Sequence, residues 1–374
     1  MQTSKENAEG EIMKYSEQFA AKKEIIQSKK VSIGFDGFVD YVIKPIKTRY
    51  DEEKCDFFPT IDKFGEKITS LAGRSGNIEL NMRSIDFGGC GPHYANGLAN
   101  MGVNCTCVGA MGYPDVLPVF DLNKNCKLVT IGEPGYDYVF EFEDGKVMMS
   151  NIEEISRLRW NDLIERVSVD KLVELFDDAD IITLVNWSYM VHFHEIYEKF
   201  LEIVMPKLSK KDRKVYIDIA DCAKRQPEEI KAALKMFGKY SEYADTYLGL
   251  NKSEAMVMHS ILCEGEYAGS LPVARAIKAY SGIGTVVIHP VDSSAAVYDG
   301  GEIEVQGILC QNPKKTTGGG DNFNSGFCAG LLAGFDIESC LVSGMTTSYL
   351  YVKNGKCNCF DDIAETMKMY DDRK

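Results

Sequence analysis

The sequence predicts an α/β fold: a parallel sheet with helices on both faces, joined to a small β appendage. Three observations lead to it. From residue 96 to residue 289, apolar runs of strand length alternate with amphipathic runs of helix length, as crossover βαβ units do. Two stretches, about 50–87 and 136–151, hold strand-like runs that do not interleave with crossover helices, so they belong to a separate sheet. Finally, Gly318-Gly319-Gly320 stands directly before the apolar run Phe323, Phe327, Leu331, Leu332, Phe335, so a glycine-rich turn opens a long helix.

A helical lead over residues 11–29 precedes the first strand, Lys30–Phe35. The first appendage segment has a helix-like run at 62–71, a Gly73-Arg74-Ser75-Gly76 turn and alternating residues at 77–87. The second reads as a hairpin, 136–143 and 146–151, about the turn Asp144-Gly145. In the body, strands are expected at 104–110, 180–186, 213–219, 245–250 and 285–289. Helices are expected at 92–101, 160–176, 193–208, 227–240, 252–262 and 271–280. Strand-like runs return at 295–298 and 302–307, and helices close the chain at 321–333 and 337–353.

Composition narrows the function. With 374 residues, 45% hydrophobic and 26% charged, the chain is an ordinary globular protein. No apolar run approaches the ~20 residues of a membrane span. A net charge of −14 argues against nucleic acid or an anionic membrane as partner. The first 30 residues are polar and lack the apolar core of a signal peptide, so a cytoplasmic protein is expected. Of the 12 cysteines, the pairs Cys105/Cys107 and Cys357/Cys359 lack the gap of zinc sites, and buried free thiols are expected. His192 and His194 fit a helix start better than a ligand pair.

The stretch Lys315-Thr316-Thr317-Gly318-Gly319-Gly320-Asp321 carries the chemistry. Glycines bring backbone N–H groups close to a ligand, and a helix start favours negative charge. Asp321 adds a carboxylate beside that anion site, where a substrate proton would leave. This is the equipment of phosphoryl transfer, although a cap and a surface turn would read the same way. The stretch resembles the Asp-Thr-x-Gly-Ala-Gly-Asp signature of the ribokinase-like carbohydrate kinases. The resemblance implies a Rossmann-like core with a β lid over the acceptor, spanning about residues 30–360. Residues 1–29 are then an N-terminal helical extension, 50–87 and 136–151 the lid segments, and 361–374 a C-terminal tail.

Strand one runs into Gly34-Phe35-Asp36-Gly37-Phe38-Val39-Asp40. A carboxylate beyond a parallel strand can hold substrate hydroxyls. The family has such an Asp here. Asp40 matches it with one residue of extra spacing, and Asp36 is the alternative. Gly88-Gly89-Cys90-Gly91-Pro92-His93 resembles the family's Gly-Gly-x-x-x-Asn motif, which implies sugar contacts at Gly88, Gly89 and His93. His93 stands where the family has Asn, and Asn96, one turn on, is expected to supply the missing amide.

At the nucleotide end, Asn251-Lys252-Ser253-Glu254 resembles the family's Asn-x-x-Glu. The resemblance implies Asn251 near the phosphates and Glu254 ordering the water shell of Mg²⁺. The same four residues are also a capping box with no catalytic purpose. Thr317, Gly318 and Gly320 are expected to contact the nucleotide. Gly318, Gly319 and Gly320 form the anion hole and Asp321 the base. Pro290-Val291-Asp292 departs from the family's glycines. Lys315 stands where an Asp helps bind a monovalent cation in some members. The expected activity is an ATP- and Mg²⁺-dependent kinase acting on a hydroxymethyl group of a sugar or polyol, with a homodimer through the lid as an option. A nucleoside kinase, an ADP-dependent sugar kinase, or a silent sugar-binding protein on the same scaffold are the alternatives.

Overall fold

Valine, isoleucine and leucine fill the strands of the centre so completely that β-runs such as Ile181–Val185 are buried along their whole length. Such strands suit a sheet covered on both faces. The computed structural model describes residues 13–372. In chain order its strands are β1 (Lys30–Phe35), β2 (Phe38–Arg49), β3 (Cys55–Phe57), β4 (Leu80–Gly88), β5 (Asn104–Gly109), β6 (Cys126–Thr130) and β7 (Gly135–Glu141). They continue with β8 (Lys146–Asn151), β9 (Ile181–Val185), β10 (Lys214–Asp218), β11 (Asp245–Leu250), β12 (Thr285–Ile288), β13 (Ser293–Tyr298) and β14 (Gly301–Gln306).

The main sheet has nine strands in the order β14-β13-β12-β11-β10-β9-β1-β5-β6. It is parallel from β6 to β12, and β13 and β14 form an antiparallel edge. The chain leaves β1 toward β5 on one side, while β9 begins the other half. A crevice for ligands therefore opens at the carboxyl ends of β1 and β9.

A second sheet of five strands, β3-β2-β7-β8 with β4 also pairing β2, forms the lid. Its core strand, β2, lies before residue 50 and is absent from the expected lid segments; Asp40 and Pro45 interrupt its apolar pattern. In register across the lid run Asp86, Asp40, Asp137 and Ser150, and one residue on, facing the opposite side, Ile85, Tyr41, Tyr138 and Met149. β6, with Lys127 amid its apolar residues, is a further strand that the pattern did not reveal.

The expected 11–29 helix is two short ones, Tyr15–Ala21 and Lys23–Gln27, with residues 11 and 12 outside the described part. Where a C-terminal tail was expected from residue 361, Phe360–Asp371 is a helix. Phe19 stacks on Phe360 at 4.5 Å, and Ser16 donates to Asp371 through N (3.0 Å) and Oγ (2.6 Å). The two ends of the chain thus clasp each other against the body. The 160–176 helix is broken at Ser168, whose side chain caps the second half, and the 193–208 helix leaves α geometry after Lys199. Helix Gly319–Ala333 packs tightly on Ile337–Asn354, where Gly330 meets Cys340 and Gly344 meets Phe323 with no room for a side chain. Among the described residues, no helix is long and apolar enough to cross a membrane.

Candidate active site

Asp36 follows β1 directly and sits in the crevice beside β9. It is fully buried. Its Oδ2 accepts from Cys90 N (2.8 Å) and Asn186 Nδ2 (2.7 Å), and its Oδ1 accepts from Gly91 N (2.7 Å). It thereby satisfies the orphan donors at the start of helix Cys90–Asn100. Asp36 does not line the cavity above it, so the alternative placement of the acceptor carboxylate there is corrected: this residue anchors the floor.

Asp40 reaches that cavity from β2. A Cβ on Gly88 would lie 2.0 Å from Asp40 Oδ1, so only glycine lets the carboxylate rest against the backbone there. Gly88 is therefore a seat for Asp40 and does not itself line the cavity. The cavity measures about 390 Å³ and brings together Asp40, Gly89, His93, Thr317 and Asp321. Asp137, Asn186, Tyr189, Asp221 and Lys224 complete its polar wall. Asn96 is elsewhere, a correction to its expected sugar contact. Its amide donates to Cys357 Sγ (3.5 Å) and its Oδ1 accepts from Asn123 N (3.0 Å), which fixes a loop behind the helix.

A second cleft, about 310 Å³, lies on the other side of the glycine-rich turn. Asn251, Thr316, Gly319 and Gly320 line it, with apolar walls from Ile308, Phe323, Tyr349 and Val352. His289 stacks on Phe323 with centroids 4.3 Å apart. Thr317, expected at the nucleotide, faces the lid cavity, and Thr316 takes its place in the cleft. The turn itself is held from behind. Gly318 has φ +85°, and Tyr351 Oη donates to Thr317 O at 3.0 Å. Gly319 N donates to Thr316 O (3.0 Å), so this N–H is turned back into the loop. The first-turn N–H groups of Gly320 and Asp321 meet no backbone acceptor among the described residues.

Asn251 and Glu254 form the reciprocal cap in full. Asn251 Oδ1 accepts from Glu254 N (3.0 Å), and the Glu254 carboxylate accepts from Asn251 N (2.8 Å) and Nδ2 (2.6 Å). Asp218 ends β10 and accepts from Ala220 N (2.8 Å) and Asn324 Nδ2 (2.5 Å). Burial raises the proton affinity of Asp321 and Glu254, and the Asp218 charge adds to both. The three carboxylates are thus close enough to repel, and a divalent cation would relieve that repulsion. Among the described residues no three His, Cys, Asp or Glu are arranged to hold a metal alone. A hard cation that keeps waters and phosphate ligands suits such a site.

In the cavity under the second sheet, burial pushes Asp40 up to about 7, with Asp137 adding to the rise and Lys315 opposing it. Burial, then the Lys315 charge, pushes His93 down to about 3, so its imidazole is neutral. The charge of the half-buried Lys315 thus reaches both Asp40 and His93. Asp137, Tyr189 and Lys224 were not foreseen from the sequence. The one visible sign was a carboxylate inside the apolar run Tyr136-Asp137-Tyr138-Val139-Phe140.

A family model described as prokaryotic ketohexokinase matches residues 5–370. That span exceeds the expected 30–360 and takes in both terminal helices. A ketohexokinase of Haloferax volcanii is 26% identical over 343 residues, covering 91% of this chain and 91% of that protein. Among solved structures, ribokinase of Arabidopsis thaliana, complexed with ribose and ATP, aligns with a TM-score of 0.63. It is 15% identical, over 91% of this chain and 98% of that one. A probable sugar kinase of Rhizobium etli aligns with a TM-score of 0.62 at 17% identity, over 91% and 98%.

Proposed function

The chain belongs to the prokaryotic ketohexokinase family, has the ribokinase fold and is a carbohydrate kinase; from that premise we propose that it transfers the γ-phosphoryl group of ATP to a hydroxymethyl group of a ketohexose. The supporting observation is the pair of cavities separated by one turn: a polar one under the lid holding Asp40 and Asp321, and an apolar one lined by Gly319 and Gly320. The sugar enters the first and the adenine the second, so the two reacting groups meet at residues 316–321.

In this reading Asp40 accepts hydrogen bonds from sugar hydroxyls, and neutral His93 adds a further polar contact. Asp321 receives the proton of the attacking hydroxymethyl group. Its raised proton affinity suits a base whose pKa should approach the working pH. The free N–H groups of Gly320 and Asp321, with Gly318 setting the bend, stabilise charge on the phosphoryl oxygens. Glu254, with Asp218 nearby, would hold Mg²⁺ through water, and the ion would supply positive charge to the phosphate oxygens. The lid sheet keeps water, the competing nucleophile, off the phosphoryl group. The test is a nucleotide-consumption assay over ketohexoses, aldoses, polyols and nucleosides. Saturable turnover with a ketohexose is expected; turnover confined to nucleosides would overturn the reading.

Lys315 brings a further prediction. A monovalent cation beside the turn would stand near its ammonium, and like charges ~4 Å apart repel by ~4 kcal/mol at an effective dielectric of 20. Activity is expected to be indifferent to replacing K⁺ by Na⁺ or a bulky organic cation at constant ionic strength. Several-fold activation by K⁺ would contradict it.

A further inference from the structure

Asp137 lies on β7, directly beside Asp40 of the parallel strand β2. Residues so paired have side chains on the same face, about 5 Å apart. Both are about 93% buried, since each keeps only 7% of its surface exposed. Both line the lid cavity, and Oδ1 of each is buried with no hydrogen-bond partner among the described residues. His93 Nε2, on a separate element of the same cavity, is likewise buried and unpartnered. Orphaned buried acceptors are costly unless a ligand completes them. Ser150 stands opposite Asp137 in register on β8 and lowers the carboxylate's proton affinity; Ser150 Oγ and Tyr189 Oη hydrogen-bond to each other, and Lys224 Nζ donates to Tyr189 Oη at 3.3 Å. Asp137 Oδ1 is thus left to the cavity.

We propose that Asp137 grips the acceptor together with Asp40, the two carboxylates taking hydroxyls of a neutral sugar and excluding acceptors that already carry an anionic group. A polyol hydroxyl can turn its O–H donor toward either acceptor oxygen, and each hydroxyl can satisfy one. A phosphate or carboxylate presents acceptors to acceptors and adds like charge. Four carboxylates line the cavity (Asp40, Asp137, Asp221 and Asp321) against one lining cation, Lys224, which is already held over the Tyr189 ring at 4.3 Å, so that even with the charge of Lys315, which reaches Asp40 and His93, acidic groups are in excess. The inference rests on the reading of this cavity as the acceptor site.

The test compares wild type, Asp137→Asn and Asp137→Ala for kcat/KM with a ketohexose and with its 6-phosphate, and for KM of ATP. Asn keeps the shape while removing the charge. It is expected to raise the 6-phosphate-to-ketohexose ratio of kcat/KM at least tenfold, with KM for ATP unchanged. Ala is expected to lower kcat/KM for the ketohexose at least tenfold. A ratio within twofold of wild type in the Asn variant, or an unaltered ketohexose kcat/KM in the Ala variant, would overturn the proposal. Calorimetric binding of the ketohexose separates the two readings. A wild type that binds the sugar without turnover strikes at the kinase reading, and loss of that binding in Asp137→Ala still supports the grip. A wild type that does not bind it overturns the grip as well.

Discussion

Asp321→Asn is expected to lower turnover by ~10²–10⁴ while nucleotide affinity and the fold stay intact. The amide occupies the same space at the start of helix Gly319–Ala333 but cannot take a proton. The fold should not suffer. Burial and the charges of Asp218 and Asp36 already disfavour an ionised group at this place, so a neutral one removes repulsion. kcat from a coupled assay, with nucleotide affinity from calorimetry, separates base from binding. A variant that keeps more than about a tenth of wild-type kcat would take Asp321 out of the mechanism.

Asp40→Ala is expected to act on the other substrate. Each charge-assisted bond to a hydroxyl contributes ~1.5–3 kcal/mol, so loss of two should reduce kcat/KM for the sugar by roughly 10²-fold or more. KM for ATP should stay within about twofold, because the adenine cleft lies across the turn from β2. The same change at Asp36 should behave differently. It strips the acceptor from Cys90 N, Gly91 N and Asn186, so it should lower thermal stability before it alters sugar preference. If Asp36→Ala shows the selective acceptor defect and Asp40→Ala does not, the acceptor carboxylate is misassigned.

Much of the body was legible because its strands obey one rule. Lys30–Phe35 and Asp245–Leu250 have the bounds their apolar patterns suggest, since burial on both faces leaves little freedom, and the helix Lys252–Leu262 starts where Asn251 caps it. The glycine-rich turn was legible too, because Gly318 takes a left-handed φ and the helix follows at once. The lid was only half legible. β2 is buried at Asp40 for the site's sake, so a charge breaks the very alternation by which a strand is recognised. Asp137 escaped for a related reason: its meaning lies in its register with Asp40, and register between β2 and β7 is not written in either segment alone. Asn96 was misplaced because helical spacing alone cannot tell which side of a helix meets the cavity.

The claim at the centre is that sugar and nucleotide occupy separate cavities that meet at Asp321. A crystal structure with a ketohexose and a non-hydrolysable ATP analogue tests it most directly. The account predicts the sugar under the lid, its hydroxyls on Asp40, its hydroxymethyl oxygen within ~3 Å of the Asp321 carboxylate, and the adenine beside His289 and Val352. A nucleotide seated under the lid, or a sugar whose hydroxymethyl group points away from Asp321, would contradict it.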